Sequence, residues 1–280
     1  MLSKHGALNN TQMYKVRSSK AQILGLTGEA VHPTETTITL GAGWNYISYL
    51  PLVNMNVSDA LKGYKAENGD VIKSQDAFAT YSSANGWEGD LTTMTVGRGY
   101  MLKRGVNASQ VSFTYPVESF GSSVKAATPA KSYRYADNMN IIGEVEGINV
   151  EDGDSLVAYV NGEIRGASRL ERNHKVFLTI QGDEDAKVAM VLVRDGEIIA
   201  TASNMIRYQS NNVIGTSDAP TAITFVTDES RLDGNVGKVK AIYGINGIKM
   251  NTRRLNNIPS GTYIIYSEKN GNTCVTKFIK

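Results

Sequence analysis

The chain reads as an all-β protein, tandem small β-domains with little helix. Three observations predict this. Apolar and polar residues alternate with a period of two along most of its length, turn dipeptides fall between the alternating runs, and helical periodicity is nearly absent. The 280 residues suffice for two or three such domains. A formal charge of +2, with both signs interspersed, leaves no basic stripe, so nucleic acid is not an expected partner. A single cysteine, Cys274, excludes an intrachain disulfide and a cysteine metal cluster, so stability must come from packed cores. No window reaches the length of a transmembrane helix, and the most apolar run, Val188 to Val193, is strand-sized.

Residues 1–32 read as the tail of a preceding repeat. Met13-Tyr14-Lys15-Val16 followed by Ala21-Gln22-Ile23-Leu24 echoes Met101-Leu102-Lys103-Arg104 followed by Ser109-Gln110-Val111-Ser112 at one constant offset. A repeat of that size is one β-domain. Val16, Ile23, Leu24 and Leu26 are therefore expected to pack as strands rather than form a solvated leader. The first ten residues carry no apolar signal core, which fits the C-terminal part of a longer exported chain whose signal peptide is not in this fragment.

Residues 33–116 form the next expected domain. Trp44, Ile47 and Tyr49, then Val71 and Ile72, then Tyr100 and Leu102 give short strands. Asn56 to Leu61 offers a polar cap before one helical turn. Trp44, Trp87, Tyr81 and Phe78 are expected to staple this small core. The alternative for Trp44, Trp87 and Tyr81 is a platform on which sugar rings stack. Residues 117–131, Ala/Ser/Gly-rich and without periodicity, read as a linker.

Residues 132–227 predict a β-sandwich of Ig-like kind. Strands are expected at 139–145, 156–160, 164–168, 176–180, 188–194, 197–201 and 223–226, with hairpin turns at Asn161-Gly162 and Asp195-Gly196. Residues 228–280 predict a small antiparallel sheet. Its strands are Val239 to Ile245, Tyr263 to Tyr266 and Val275 to Ile279, with a turn at Asn246-Gly247 and a breaker at Pro259-Ser260-Gly261. Its self-contained alternation gives it few reasons to need the domain before it.

Three stretches carry family resemblances. The ordered motifs Gly43-Trp44-Asn45-Tyr46-Ile47-Ser48, Gly69-Asp70-Val71-Ile72-Lys73-Ser74-Gln75, Phe78-Ala79-Thr80-Tyr81, Gly86-Trp87-Glu88-Gly89 and Gly97-Arg98-Gly99-Tyr100-Met101 resemble a repeat of large Bacteroidetes surface proteins. Tyr46 stands where that pattern has a second tryptophan. Gly153-Asp154 through Asn161-Gly162-Glu163-Ile164-Arg165-Gly166 resembles another Bacteroidetes surface module, with Ile164 in place of its cysteine. Ile242-Tyr243, Asn246-Gly247, Ile258-Pro259, Gly261, Tyr263-Ile264-Ile265 and the closing Thr276-Lys277-Phe278-Ile279-Lys280 closely resemble the C-terminal sorting domain read by type IX secretion machinery. The resemblance implies that Gly261, Tyr263, Lys277 and Lys280 carry a sorting signal. It also implies that the partner is the secretion machinery and the destination the cell surface or medium, with host or polysaccharide ligands there.

Catalytic constellations are not legible. His5, His32 and His174 are far apart in sequence, no H-E-x-x-H or G-x-S-x-G occurs, and the glycines at Gly41/Gly43 and Gly97/Gly99 lack a phosphate-loop context. Carboxylates gather at Glu151, Asp152 and Asp154 and at Asp183, Glu184 and Asp185. Asp152 and Asp154 are candidates for Ca²⁺, because loop carboxylates at alternating positions supply hard oxygen ligands. The alternative is solvated turn residues, with no cofactor. Asp154-Ser155-Leu156 also resembles a short Bacteroidetes O-glycosylation acceptor. The expectation is a non-catalytic surface or secreted structural and adhesion module, not an enzyme, with a carbohydrate-binding accessory region of a larger secreted enzyme as the alternative.

Overall fold

The computed structural model describes residues 8–20, 23, 31–116, 133–170, 174–226, 238–251, 258–259, 261–269 and 272–279. Among them strands dominate, and the one helix is a single four-residue turn. The fold is all-β. The chain separates into two compact units, Met1–Arg134 and Tyr135–Lys280.

The first unit holds β1 (Ile38–Leu40), β2 (Gly43–Ser48), β3 (Met55–Asn56), α1 (Val57–Ala60), β4 (Val71–Lys73), β5 (Phe78–Ser82), β6 (Gly86–Gly89), β7 (Thr93–Met94), β8 (Gly99–Arg104) and β9 (Val111–Phe113). Five of these form an antiparallel sheet in the order β2-β8-β4-β5-β6, while β1 pairs with β9 and β3 with β7. Alternate residues of the sheet face one core, where Ile47, Ile72, Ala79, Tyr100 and Leu102 meet Ile38, Leu40, Leu61 and Phe113. Tyr115 closes it edge-on against Tyr49 and Phe113, with ring centroids 5.4 and 5.3 Å apart. Asn56 stands at the N-cap of α1 as its sequence position suggests, but its side chain makes no capping bond.

In the second unit the strands are β10 (Asp137–Glu146), β11 (Ser155–Val160), β12 (Glu163–Arg169), β13 (Lys175–Gly182), β14 (Lys187–Arg194), β15 (Glu197–Ala202), β16 (Ile206–Arg207), β17 (Val213–Ile214) and β18 (Thr221–Val226). Seven lie on one hydrogen-bonded path, β12-β11-β14-β15-β18-β10-β13, with β16 on β14 and β17 on β10. The two predicted hairpins are present. Asn161-Gly162 and Asp195-Gly196 have φ of 51 and 80° and of 50 and 82°, the left-handed pair of a type I′ turn. The sheet is mixed rather than purely antiparallel, because β10 runs parallel to both β17 and β18. Its end strands come back together. Arg165 on β12 donates to the Gln181 carbonyl on β13 at 3.4 Å, and a side chain at Gly166 would collide with the Thr179 backbone. The sheet thus wraps one core, built from Met139, Ile141, Leu156, Leu178, Met190, Leu192 and Phe225 among others.

The C-terminal strands β19 (Lys238–Gly244), β20 (Thr262–Lys269) and β21 (Asn272–Ile279) form an antiparallel sheet in chain order. This sheet belongs to the second unit and does not stand by itself, which differs from the self-contained module expected. Ala241, Tyr243 and Ile264 pack with Tyr159, Ala189, Val191 and Ile198 of the wrapped sheet in one apolar cluster. Tyr243 lies on the Asn161-Gly162 turn, its hydroxyl donating to the Asn161 carbonyl at 2.9 Å, where any side chain at Gly162 would strike the ring. Strand β14 is consequently covered on both faces, which its unbroken Val188–Val193 apolar run requires.

The tail at residues 1–32 behaves differently from expectation. No described residue before Ile38 is in a strand, and Val16 and Ile23 are 69% and 99% exposed. The segment does meet the first unit's sheet, where Met13 N–H donates to the Tyr46 carbonyl at 3.4 Å. Leu24, Leu26, the linker 117–131 and Lys280 lie outside the described residues.

Candidate functional site

Each unit builds a network of buried polar groups on the same short turn. Glu67-Asn68-Gly69-Asp70 leads into β4 and Glu151-Asp152-Gly153-Asp154 leads into β11. In both, the aspartate N–H donates to the glutamate carbonyl, at 3.0 and 3.1 Å. The glutamate N–H donates back to aspartate Oδ2, at 2.9 Å in each. The glycine between them has positive φ, 85° at Gly69 and 104° at Gly153, which is why a glycine stands there. Both aspartate carbonyls then accept from the strand that returns after the next hairpin, Tyr81 N–H at 2.8 Å and Leu170 N–H at 2.8 Å.

The likeness extends to the other neighbouring strand. Strand β8 sets Lys103 opposite Val71, so Arg104 falls beside Asp70. Strand β14 sets Val193 opposite Ser155, so Arg194 falls beside Asp154. In the second unit the two meet directly: Arg194 Nε and Nη2 donate to Asp154 Oδ1 and Oδ2, each at 2.8 Å, while Nη1 reaches Glu151 at 2.5 Å. In the first unit the Tyr64 hydroxyl intervenes, donating to Asp70 while Arg104 Nε donates to it at 3.1 Å. Arg104 is 2% exposed and turns its Nη1 to the carbonyls of Ser109 at 2.6 Å and Leu40 at 3.4 Å.

The two carboxyls titrate in opposite senses. Burial pushes Asp70 above the ordinary aspartate value, against the bonds from Tyr64 and Glu67 and the charge of Arg104. Burial also raises the Tyr64 phenol, with Asp70 adding to the effect. Arg194, in contrast, holds Asp154 below the ordinary value despite its burial. Asp154 is thus engaged by a guanidinium on both oxygens. Asp183, Glu184 and Asp185 do not gather either, since Asp185 pairs with Arg207 at 2.8 Å and Glu184 accepts from Asn161 at 2.9 Å. Among the described residues no three metal-ligating side chains converge.

The tryptophans do not form one platform. The ladder Trp44–Lys103–Val71–Thr80–Glu88 puts those residues on one face of the first unit's sheet. Trp87, next to Glu88, therefore faces the opposite way, packing on the core with its ring 5.4 Å from Tyr81. Trp44 is half-buried, and its ring lies 4.7 Å from Lys73 Nζ and 5.8 Å from Lys103 Nζ. Tyr46, two residues on and on the same face as Trp44, is 44% exposed.

The C-terminal residues named by resemblance are mostly structural in position. Tyr263 is buried with Ile242, Ile258 and Ile265, and its hydroxyl donates to the Pro259 carbonyl at 3.0 Å. Gly261 precedes β20, and Lys277 is half-buried opposite Ile264. Ser155 opens β11 between two hydrogen-bonded neighbours, unlike an open acceptor loop. His174 directly precedes β13 with φ of 60° and has Nδ1 3.2 Å from the Val145 carbonyl.

The Glu-x-Gly-Asp repetition was available in the sequence, as the same turn signature before two predicted strands, and sequence reasoning passed over it. The paired arginines were not available, because only strand register brings them opposite. No protein-family model matches the chain, and no curated protein matches it. Among solved structures it is similar to the Bacillus anthracis TIE protein at 10% identity and a TM-score of 0.22, over 76% of this chain. The chain spans 41% of that protein's length, and so shallow a likeness bears on neither fold nor function.

Proposed function

We propose that the chain is a non-catalytic structural or adhesion module from the C-terminal part of an exported protein, delivered to the cell surface or medium by secretion machinery that reads its last strands. One observation carries this reading. The charged groups best suited to chemistry, Asp70 with Arg104 and Asp154 with Arg194, are consumed by partners on neighbouring strands and turns. Catalytic groups instead converge on a face open to substrate. The delivery half of the reading rests on the C-terminal motif.

Because β19–β21 pack on β14, two reporter fusions test delivery, one with residues 228–280 and one with residues 135–280. Each is expressed with a signal peptide in a bacterium that has type IX secretion. Export of either, abolished by removing the last five residues, is the expected result. Retention of both in the periplasm overturns the delivery reading. A panel of esterase, protease and glycosidase substrates should give no turnover. Turnover lost on one Asp, Ser or His substitution overturns the non-catalytic reading.

A second reading, a carbohydrate-binding accessory region, is favoured by Tyr46 lying exposed beside Trp44. It predicts glycan-array binding that the Tyr46→Ala chain loses while keeping its circular dichroism.

A further inference from the structure

We propose that the outer edge of β2 is an acceptor for a Met-x-Lys strand of the β8 type, and that residues 9–16 of this chain are its occupant. The inference stands apart from the functional reading above. Strand β2 ends its sheet, with β8 on one side only. Backbone groups of successive strand residues point to alternate sides. The Tyr49 N–H donates to Arg98 at 3.1 Å on the β8 side, which leaves Tyr46 and Ser48 pointing away from it. A row turned away from the rest of its sheet is a ready template for another strand.

The N-terminal segment uses that row. Ser48 N–H donates to the Thr11 carbonyl at 3.2 Å and Met13 N–H donates to the Tyr46 carbonyl at 3.4 Å, bracketing Gln12 and Ile47 as an antiparallel pair. Ser48 Oγ adds a bond to the Asn10 carbonyl at 2.5 Å. The segment is pre-shaped by a local turn, in which Thr11 N–H and Oγ1 both donate to Asn9 Oδ1, at 2.9 and 2.8 Å.

The register is the decisive point. Strand β8 places Gly99, Tyr100 and Met101 opposite Ser48, Ile47 and Tyr46. The N-terminal segment places Thr11, Gln12 and Met13 opposite the same three residues. Met13-x-Lys15 and Met101-x-Lys103 are the two halves of the sequence echo, so the same element takes both edges of β2 in one register. Backbone pairing alone permits several registers, and side chains must choose among them. Here Met13 rests on Gly99, where any side chain would collide with it. Three residues beyond Met13, Val16 is 69% exposed.

The test removes residues 1–20 and titrates the shortened chain with a fluorescent peptide of residues 8–17, followed by anisotropy. Saturable binding is expected, weakened at least about tenfold by Met13→Asp in the peptide or Gly99→Val in the protein. Absence of binding, in a shortened chain that keeps the circular dichroism of the full one, overturns the proposal. If the shortened chain does not fold, hydrogen exchange on the full chain decides. Met13→Asp should then speed exchange of the Ser48 amide about tenfold and leave the Ile47 amide unchanged. Equal Ser48 exchange with and without the substitution refutes it.

Discussion

Asp70 in the first unit and Asp154 in the second sit at the end of the same Glu-x-Gly-Asp turn. Each enters a strand flanked by its hairpin partner and by a strand ending in arginine. One carboxyl is nevertheless pushed up and the other held down. The difference is what stands between acid and base. At Asp154 the guanidinium takes both oxygens in a fork, and its side chain stays 26% exposed, so water shares its solvation. At Asp70 a tyrosine hydroxyl occupies that place and Arg104 is wholly enclosed, turned partly to backbone carbonyls. Pairing wins where contact is direct, and burial wins where it is relayed. A turn motif therefore sets where a carboxylate lies and leaves its charge to the neighbouring strand.

The comparison can be broken most forcefully at Arg104. Arg104→Ala should destabilise the first unit by about 3–5 kcal/mol, since it strips a donor from Tyr64, Leu40 and Ser109 inside the core. Both tryptophans, Trp44 and Trp87, belong to that unit, so urea unfolding followed by tryptophan fluorescence reads it alone. A loss under about 1 kcal/mol would mean that Tyr64 holds Asp70 without help.

In the second unit, Tyr243→Ala should cost about 2–4 kcal/mol, removing a buried ring from the cluster that joins the C-terminal sheet to β11, β14 and β15. Hydrogen exchange should quicken on β14 as well as β20. If only β20 amides respond, the C-terminal sheet is energetically separate from the wrapped sheet after all.

A smaller and more direct contrast comes from the carboxyls. Asp154→Asn should cost about 1.5–3 kcal/mol by removing a charged, forked hydrogen bond. Asp70→Asn should cost less than about 1 kcal/mol, because its folded site already disfavours charge. Denaturant midpoints in the opposite order would sink the account of the two sites.

The smallest effect is in pH. Asp154, depressed when folded, contributes stability that is present above the unfolded value of about 3.9 and is lost as pH falls through its lower folded value. Asp70, raised when folded, does the reverse. Its unit gains stability as pH falls through the raised value toward about 3.9 and gains nothing further below it. Thermal melts between pH 7 and pH 3 should show the contribution of each in its own Asp→Asn difference, with opposite signs.

Much of the fold was legible locally. Asn161-Gly162 and Asp195-Gly196 called for type I′ hairpins, and the strands on either side fall where alternation placed them, because turn geometry and pleat are properties of a few adjacent residues. The tail at Val16 and Ile23 was misread on the same logic, since apolar content states a demand for burial and does not by itself secure it. The tryptophans illustrate a further limit. Which face Trp44 and Trp87 occupy depends on register across five strands, and a single residue of offset separates one platform from two opposed side chains.

By itself the sequence determined the secondary structure, the turns and the demand for burial. Val188 to Val193, apolar without interruption, already required cover on both faces of its strand. Only the tertiary structure decided that the second cover is the C-terminal sheet, with Tyr243 resting on Gly162. Only there, too, did Arg104 and Arg194 come to stand beside Asp70 and Asp154. The reason is physical: hydrophobic burial is non-directional and names no partner, whereas strand register is a long-range choice settled by all the side chains of a sheet at once.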